Sequence, residues 1–217
     1  MKAVTSTSTA GHAFALPNLL TYSRIVAVPV VVGCMYWADI LQAGLWLRWV
    51  ALFVFIAAGI TDFFDGYVAR LWGQHSSFGR MLDPIADKLL VASCLLMLAA
   101  NGEIRGWSLW AAIVILCREI LVSGLREHLA ELRVSVPVTR LAKWKTVLQL
   151  VAIGFLIGGE AVDHVLPLSV LSYRLVFGEE IWPVATTIGL GLLWLSALLT
   201  LYTGYDYFRA GARHLNQ

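Results

Sequence analysis

Four aspartates, Asp62, Asp65, Asp83 and Asp87, fall within about one and a half turns of one another in pairs along an otherwise apolar stretch. With Gly66, Ala69, Arg70 and Gly79 they complete the pattern D-x2-D-G-x2-A-R-x8-G-x3-D-x3-D. Residues three or four apart share a helix face, so each acidic pair can point one way. Carboxylates at a membrane edge are expensive unless they are paired, hydrated or bound to a cation. Two such pairs brought together form a hard, all-oxygen site suited to Mg²⁺ or Mn²⁺. Gly66 and Ala69 remove side-chain bulk where a ligand approaches the backbone. Arg70 has the planar geometry that clamps phosphate. Metal, phosphate and an activated hydroxyl are the parts of a phosphoryl-type transfer.

The elements that must carry these residues are membrane spans. The hydrophobic fraction is 59%, only 14% of the 217 residues are charged, and mean hydropathy is +0.75. A soluble domain would be nearer half apolar and about a quarter charged. The sequence therefore predicts an all-α integral membrane protein, because helices satisfy their own backbone in lipid and no barrel-like alternation is present. Six transmembrane helices are expected: 16–38, 45–70, 84–100, 107–125, about 146–158 reaching back through Trp144, and 181–207. They would form one catalytic domain over 16–217, preceded by a polar segment at 1–15. Leu71–Arg80 and Arg126–Lys145 read as connections and 159–180 as an irregular loop. The polar start does not have the form of a cleaved signal peptide.

Six spans put both termini on one side. With that side cytoplasmic, thirteen of the 16 Lys and Arg lie in or near the cytoplasmic half, against Arg48, Arg105 and Arg174 outside. This positive-inside bias orients a multi-pass protein of the inner (cytoplasmic) membrane with its acidic pairs facing the cytoplasm. Cys34, Cys94 and Cys117 are each expected to be small buried hydrophobes, and the histidines have no metal-binding spacing. Trp107, Trp110, Trp182 and Tyr207 suit an interface belt. Gly154 and Gly158 form a GxxxG pair for close packing, within the chain or between two copies.

Three basic residues stand out besides Arg70. Arg118 is deep in the fourth span and should face a polar cavity, either paired with Glu119 or Glu127 or binding a phosphate. Lys143 and Lys145 could equally hold an anionic acceptor or attract lipid head groups. Nothing in the charge pattern calls for nucleic acid.

The eight-position signature resembles that of the CDP-alcohol phosphatidyltransferases. Leu16-Pro-Asn-Leu-Leu-Thr21 before Arg24, Cys117-Arg-Glu-Ile120 with Gly124-Leu-Arg-Glu127, and Lys143-Trp-Lys-Thr146 look like the bacterial members that use glycerol 3-phosphate. The resemblance implies a six-helix homodimeric enzyme that transfers the phosphatidyl group of CDP-diacylglycerol to the primary hydroxyl of glycerol 3-phosphate, releasing CMP. It implies that Asp62, Asp65, Asp83 and Asp87 hold two divalent ions, Mg²⁺ or Mn²⁺, with Asp87 also the general base. Gly66, Arg70 and Ser76 would contact the nucleotide and its phosphates, Gly79 would leave room for cytidine, and Asn18 and Thr21 would lie near the CDP-lipid. Arg118, Lys143 and Lys145 would meet glycerol 3-phosphate. Two alternatives remain at this stage: the same chemistry with phosphatidylglycerol, inositol phosphate, serine or choline as acceptor, and an ion-coupled transporter that uses the acids for ions.

Overall fold

The computed structural model describes the backbone of residues 16–72, 77–131, 140–165 and 184–215. Side chains are described over the same stretches apart from 16–20, 62–81, 83, 131, 140, 160 and 210–215. These residues form six helices: α1 Leu16–Asp39, α2 Trp46–Trp72, α3 Ser77–Ala100, α4 Ser108–Glu131, α5 Arg140–Val165 and α6 Val184–Leu215. No strand occurs among them. Four helices carry stretches long and apolar enough to cross a membrane: Thr21–Asp39, Ser108–Ala130, Leu141–Gly159 and Val184–Arg209. The described part of α2 adds a shorter apolar run, Trp46–Thr61. The protein is an all-helical membrane protein.

The helices outrun the apolar stretches that mark them in the sequence. The third was expected to begin at Pro84. Instead α3 starts at Ser77 and carries Pro84 inside it, so Gly79 and Asp83 are helical and the connection to α2 is only 73–76. Likewise α4 runs past Leu125 to Glu131, and α5 covers Arg140–Val165, so Arg126, Lys143 and Lys145 are on helices and not in a connection. Hydropathy stops reporting a helix where it leaves the apolar layer, although its hydrogen-bond ladder continues.

The core is a seam of aliphatic and small side chains. Ala27, Val31 and Met35 of α1, four residues apart, face Ala51, Phe55 and Ala58 of α2 and Leu90, Cys94 and Leu98 of α3. Helix α1 packs on both α2 and α3, α5 on α6 and α2, and α4 on α6. Close approach depends on glycine. A Cβ on Gly189 would stand 2.8 Å from Leu156 and 3.2 Å from the Ala152 carbonyl oxygen, so α5 and α6 meet almost backbone to backbone there. Gly154 and Gly158 both lie against Leu52 of α2. The GxxxG face is therefore used within the chain.

One end of the bundle is pinned by a buried polar node. Arg48, 7% exposed, donates from Nε to Asp39 at 2.6 Å and from Nη2 to Glu103 at 2.7 Å. Asn101 donates to the other Asp39 oxygen, and Thr186 Oγ1 donates to Glu103 at 3.3 Å. Gly159 closes the node from α5 with φ +37°, a backbone that L side chains rarely adopt, and its missing Cβ leaves room for Arg48 Nη1. Beyond this kink Asp163 accepts a hydrogen bond from the Ala185 N–H at the start of α6. Four helices and the α3–α4 turn thus meet at this end. Exposed Trp37, Trp46, Trp107 and Trp110 belong to the same end, as an interface belt would. Tyr207 does not join such a belt: it is 4% exposed and packed inside.

Candidate active site

The opposite end carries the acidic signature. Asp62 and Asp65 lie in the C-terminal half of α2, ten and seven residues before Trp72, and Asp83 and Asp87 lie in α3, six and ten residues after Ser77. Only four residues separate the two helices, so their ends are at most about 18 Å apart. At about 1.5 Å per residue both pairs sit about 9–15 Å from that turn, Asp65 level with Asp83 and Asp62 level with Asp87. Four aspartates at matching distances along the backbones of two consecutive helices are the residue type that hard divalent cations take. The side chains of Asp62, Asp65 and Asp83 lie outside the described residues, as do those of Asn18, Gly66, Arg70 and Gly79, and Ser76 altogether. Among the described residues no three His, Cys, Asp or Glu side chains gather.

Asp87 is described, and its neighbour is one that composition did not single out. Arg24 of α1 pairs through Nη1 with Asp87 Oδ1 across the α1–α3 contact. Arg24 is only 1% exposed, whereas 44% of the Asp87 side chain remains accessible. Thr21, one turn earlier on the same face of α1, is buried as well. That face of α1 is therefore directed at the acid-bearing helices. Lys88, the next residue after Asp87, donates instead to Ser123 Oγ on α4 and to the Pro84 carbonyl at 3.1 Å.

Through Ser123 the acid site adjoins a second polar cluster, between α4, α5 and α6. Glu119 is one turn above Ser123 on α4. Its Oε1 pairs closely with Lys145 Nζ and more loosely, at 3.5 Å, with Arg118 Nη1. Arg118 Nη2 donates to Thr203 Oγ1 at 2.9 Å, and Gly204 leaves the space that the Arg118 stem fills. Arg126 donates to the Tyr207 hydroxyl at 3.4 Å and stacks over its ring at 5.6 Å. Two cations thus share one carboxylate oxygen, which leaves one positive charge in excess within this group. A phosphate dianion is the chemistry that balances it.

The structure therefore takes up the Arg118–Glu119 pairing expected from the sequence, but as a weak contact inside a larger group. It separates the two lysines: Lys145 is 4% exposed in the cluster, whereas Lys143, two residues away on a helix, lies on the exposed side. Glu119, Arg126, Thr203 and Tyr207 join the cluster without having been assigned to it. Only the spacing Arg118, Glu119, Ser123, Arg126 along one helix hinted at them. Of the three cysteines, Cys34 and Cys94 are buried as expected and Cys117 is exposed.

Comparison with known proteins gives the same direction. The profile of the family described as CDP-alcohol phosphatidyltransferase matches residues 14–202. A protein of Cereibacter sphaeroides is 41% identical over 93% of this chain and 97% of its own length. One from Rickettsia bellii is 43% identical over 90% of this chain and 94% of its own. A third, from Shigella flexneri serotype 5b, is 33% identical over 93% and 97%. All three are named CDP-diacylglycerol–glycerol-3-phosphate 3-phosphatidyltransferase.

Proposed function

The chain belongs to the CDP-alcohol phosphatidyltransferase family, and on that premise we propose that it transfers a phosphatidyl group from CDP-diacylglycerol to the primary hydroxyl of glycerol 3-phosphate. The products are phosphatidylglycerophosphate and CMP, which places the enzyme in phospholipid synthesis. The acceptor hydroxyl attacks the lipid-side phosphorus, the bond from that phosphorus to CMP breaks, and the hydroxyl proton passes to Asp87. The observation that carries the acceptor is the pair of cations on Glu119, Arg118 and the buried Lys145, with the exposed Arg126 beside Tyr207 on the same side of α4. It sits next to the acid site, where the phosphate of glycerol 3-phosphate can dock while its hydroxyl reaches Asp87. Relatives that bear this name along nearly their whole length support the same acceptor.

Asp62, Asp65, Asp83 and Asp87 would hold two divalent ions, Mg²⁺ or Mn²⁺, which when bound supply charge neutralisation at the pyrophosphate. Gly66, Arg70, Ser76 and Gly79 would seat the nucleotide, with Asn18 and Thr21 beside the lipid diphosphate. The burial of Thr21 on the face that carries Arg24 supports its place there. Residues 16–217 act as one six-span catalytic domain, the acid end cytoplasmic, in the inner membrane. The positive-inside count and the tryptophans at the opposite end support that orientation. A homodimer would use a face other than Gly154–Gly158, which Leu52 occupies.

The test is CMP release from CDP-diacylglycerol by the purified protein with Mg²⁺ or Mn²⁺ and each candidate alcohol. Glycerol 3-phosphate should support turnover, and chelation of the divalent ions should abolish it. Background release with glycerol 3-phosphate beside clear release with phosphatidylglycerol, inositol phosphate, serine or choline would overturn the acceptor.

A further inference from the structure

Arg24 is a buried guanidinium in a membrane span, and such a group persists only where it is paired or faces a functional site. It is paired with Asp87, the carboxylate expected to take the substrate proton. An anchoring role alone would be served by any acid on α3, and α3 is already tied to its other neighbour by the very next side chain. Lys88 reaches α4 at Ser123, and Arg24 of α1 grips Asp87. Consecutive residues on a helix point about 100° apart. Two ties to different helices therefore fix the rotation of α3 about its axis at the level of Asp87.

That fixing has a local cause. Pro84, three residues earlier inside α3, lacks the N–H that would bond the carbonyl four residues back, so the helix is weakened in the turn that leads into the one carrying Asp87. Lys88 Nζ returns to the Pro84 carbonyl at 3.1 Å, bracing from one side the following turn, which carries Asp87. Arg24 braces it from the other.

We propose that Arg24 is a positioning residue for the transfer reaction: by holding Oδ1 of Asp87 from the interior, it aims the carboxylate at the acceptor hydroxyl. It sets turnover through Asp87 and does not bind either substrate. Arg24 keeps its own proton throughout; the hydroxyl proton goes to Asp87 as the new phosphorus–oxygen bond forms and CMP leaves. This rests on the phosphatidyl-transfer reading above.

The experiment uses the full chain in lipid nanodiscs, as wild type, Arg24→Ala, Arg24→Lys, Asp87→Asn and the Arg24→Ala/Asp87→Asn double variant. A misplacement of about 1 Å can cost about 10²-fold in rate. Arg24→Ala should therefore lower kcat by about that factor, with KM for each substrate within about threefold. Arg24→Lys, which still reaches one oxygen, should recover most of the loss; a structural spacer would not be rescued in this way. Thermal unfolding without divalent ions supplies a readout free of turnover. Each single substitution should lower Tm, and the double variant should fall by less than the sum of the two single losses, because the pair is broken once. A kcat near wild type for Arg24→Ala, a loss carried by KM, or additive Tm shifts would each overturn the proposal. A wild type that releases no CMP with any alcohol, beside coupled Tm shifts, would remove the reaction and this role while leaving the ion pair in place.

Discussion

Replacing Arg118 with alanine separates a phosphate-binding cluster from a structural ion pair. Arg118 gives Nη2 to Thr203 at 2.9 Å, but its contact with Glu119 is 3.5 Å, and Lys145 takes the same carboxylate oxygen more closely. Much of the guanidinium charge is thus left for an incoming anion. A unit charge 4 Å from another at an effective dielectric near 20 is worth about 4 kcal/mol before desolvation. Net of desolvation, a hydrogen bond to a charged group contributes about 1.5–3 kcal/mol. At about 1.4 kcal/mol per decade this becomes roughly a 10- to 150-fold rise in KM for glycerol 3-phosphate. KM for CDP-diacylglycerol should change far less. The assay is CMP release in nanodiscs, each substrate varied at saturating levels of the other. Unphosphorylated glycerol at high concentration is the control, since it offers no phosphate and should not distinguish the variant from wild type. Unchanged KM for glycerol 3-phosphate, or equal rises for both substrates, would refute the phosphate site and leave Arg118 an internal ion-pair partner.

Other perturbations test neighbouring links. Gly204→Ala places a Cβ 3.1 Å from Arg118 Cγ and 3.4 Å from its Nε, so the same KM should rise by a few-fold on the scale of a displaced hydrogen bond; an unchanged value would mean Arg118 gives way freely. Asp87→Asn should remove the general base and with it about 10²–10⁴-fold of turnover, and more than a tenth of the rate remaining would count against that role. Arg48→Ala strands Asp39 and Glu103 at the opposite end, and breaking a buried pair costs about 3–5 kcal/mol; unfolding in detergent should show it, and a loss below about 1 kcal/mol would mean that water replaces the guanidinium. Gly159→Ala forces an L side chain into φ +37° against Arg48 Nη1, at a cost of at least about 1–2 kcal/mol. Only the steric part of its loss should disappear beside Arg48→Ala, because the backbone strain does not depend on Arg48.

How far the chain could be understood before folding depends on the range of each interaction. That it is a helical membrane protein follows from composition and hydropathy, which are properties of each stretch alone. The grouping of Asp62 with Asp65 and of Asp83 with Asp87 is equally local, because three- and four-residue spacing acts within a single turn. The short link between α2 and α3 then brings the two pairs to one end. Helix lengths were less legible: Ser77–Asp83 and Arg126–Glu131 are helical but polar enough to resemble connections.

What only the tertiary structure decided are the partners across helices. Arg24 and Asp87 are 63 positions apart, Arg118 and Thr203 85, Arg126 and Tyr207 81. Nothing in the residues between them encodes the meeting. It arises because small side chains such as Gly154, Gly158 and Gly189 let α2, α5 and α6 approach closely, and that approach sets which faces turn inward. The order of residues alone determined that there would be carboxylates, cations and membrane helices. Which cation steadies which carboxylate was settled by packing, since the rotation of a helix about its axis is chosen by its neighbours.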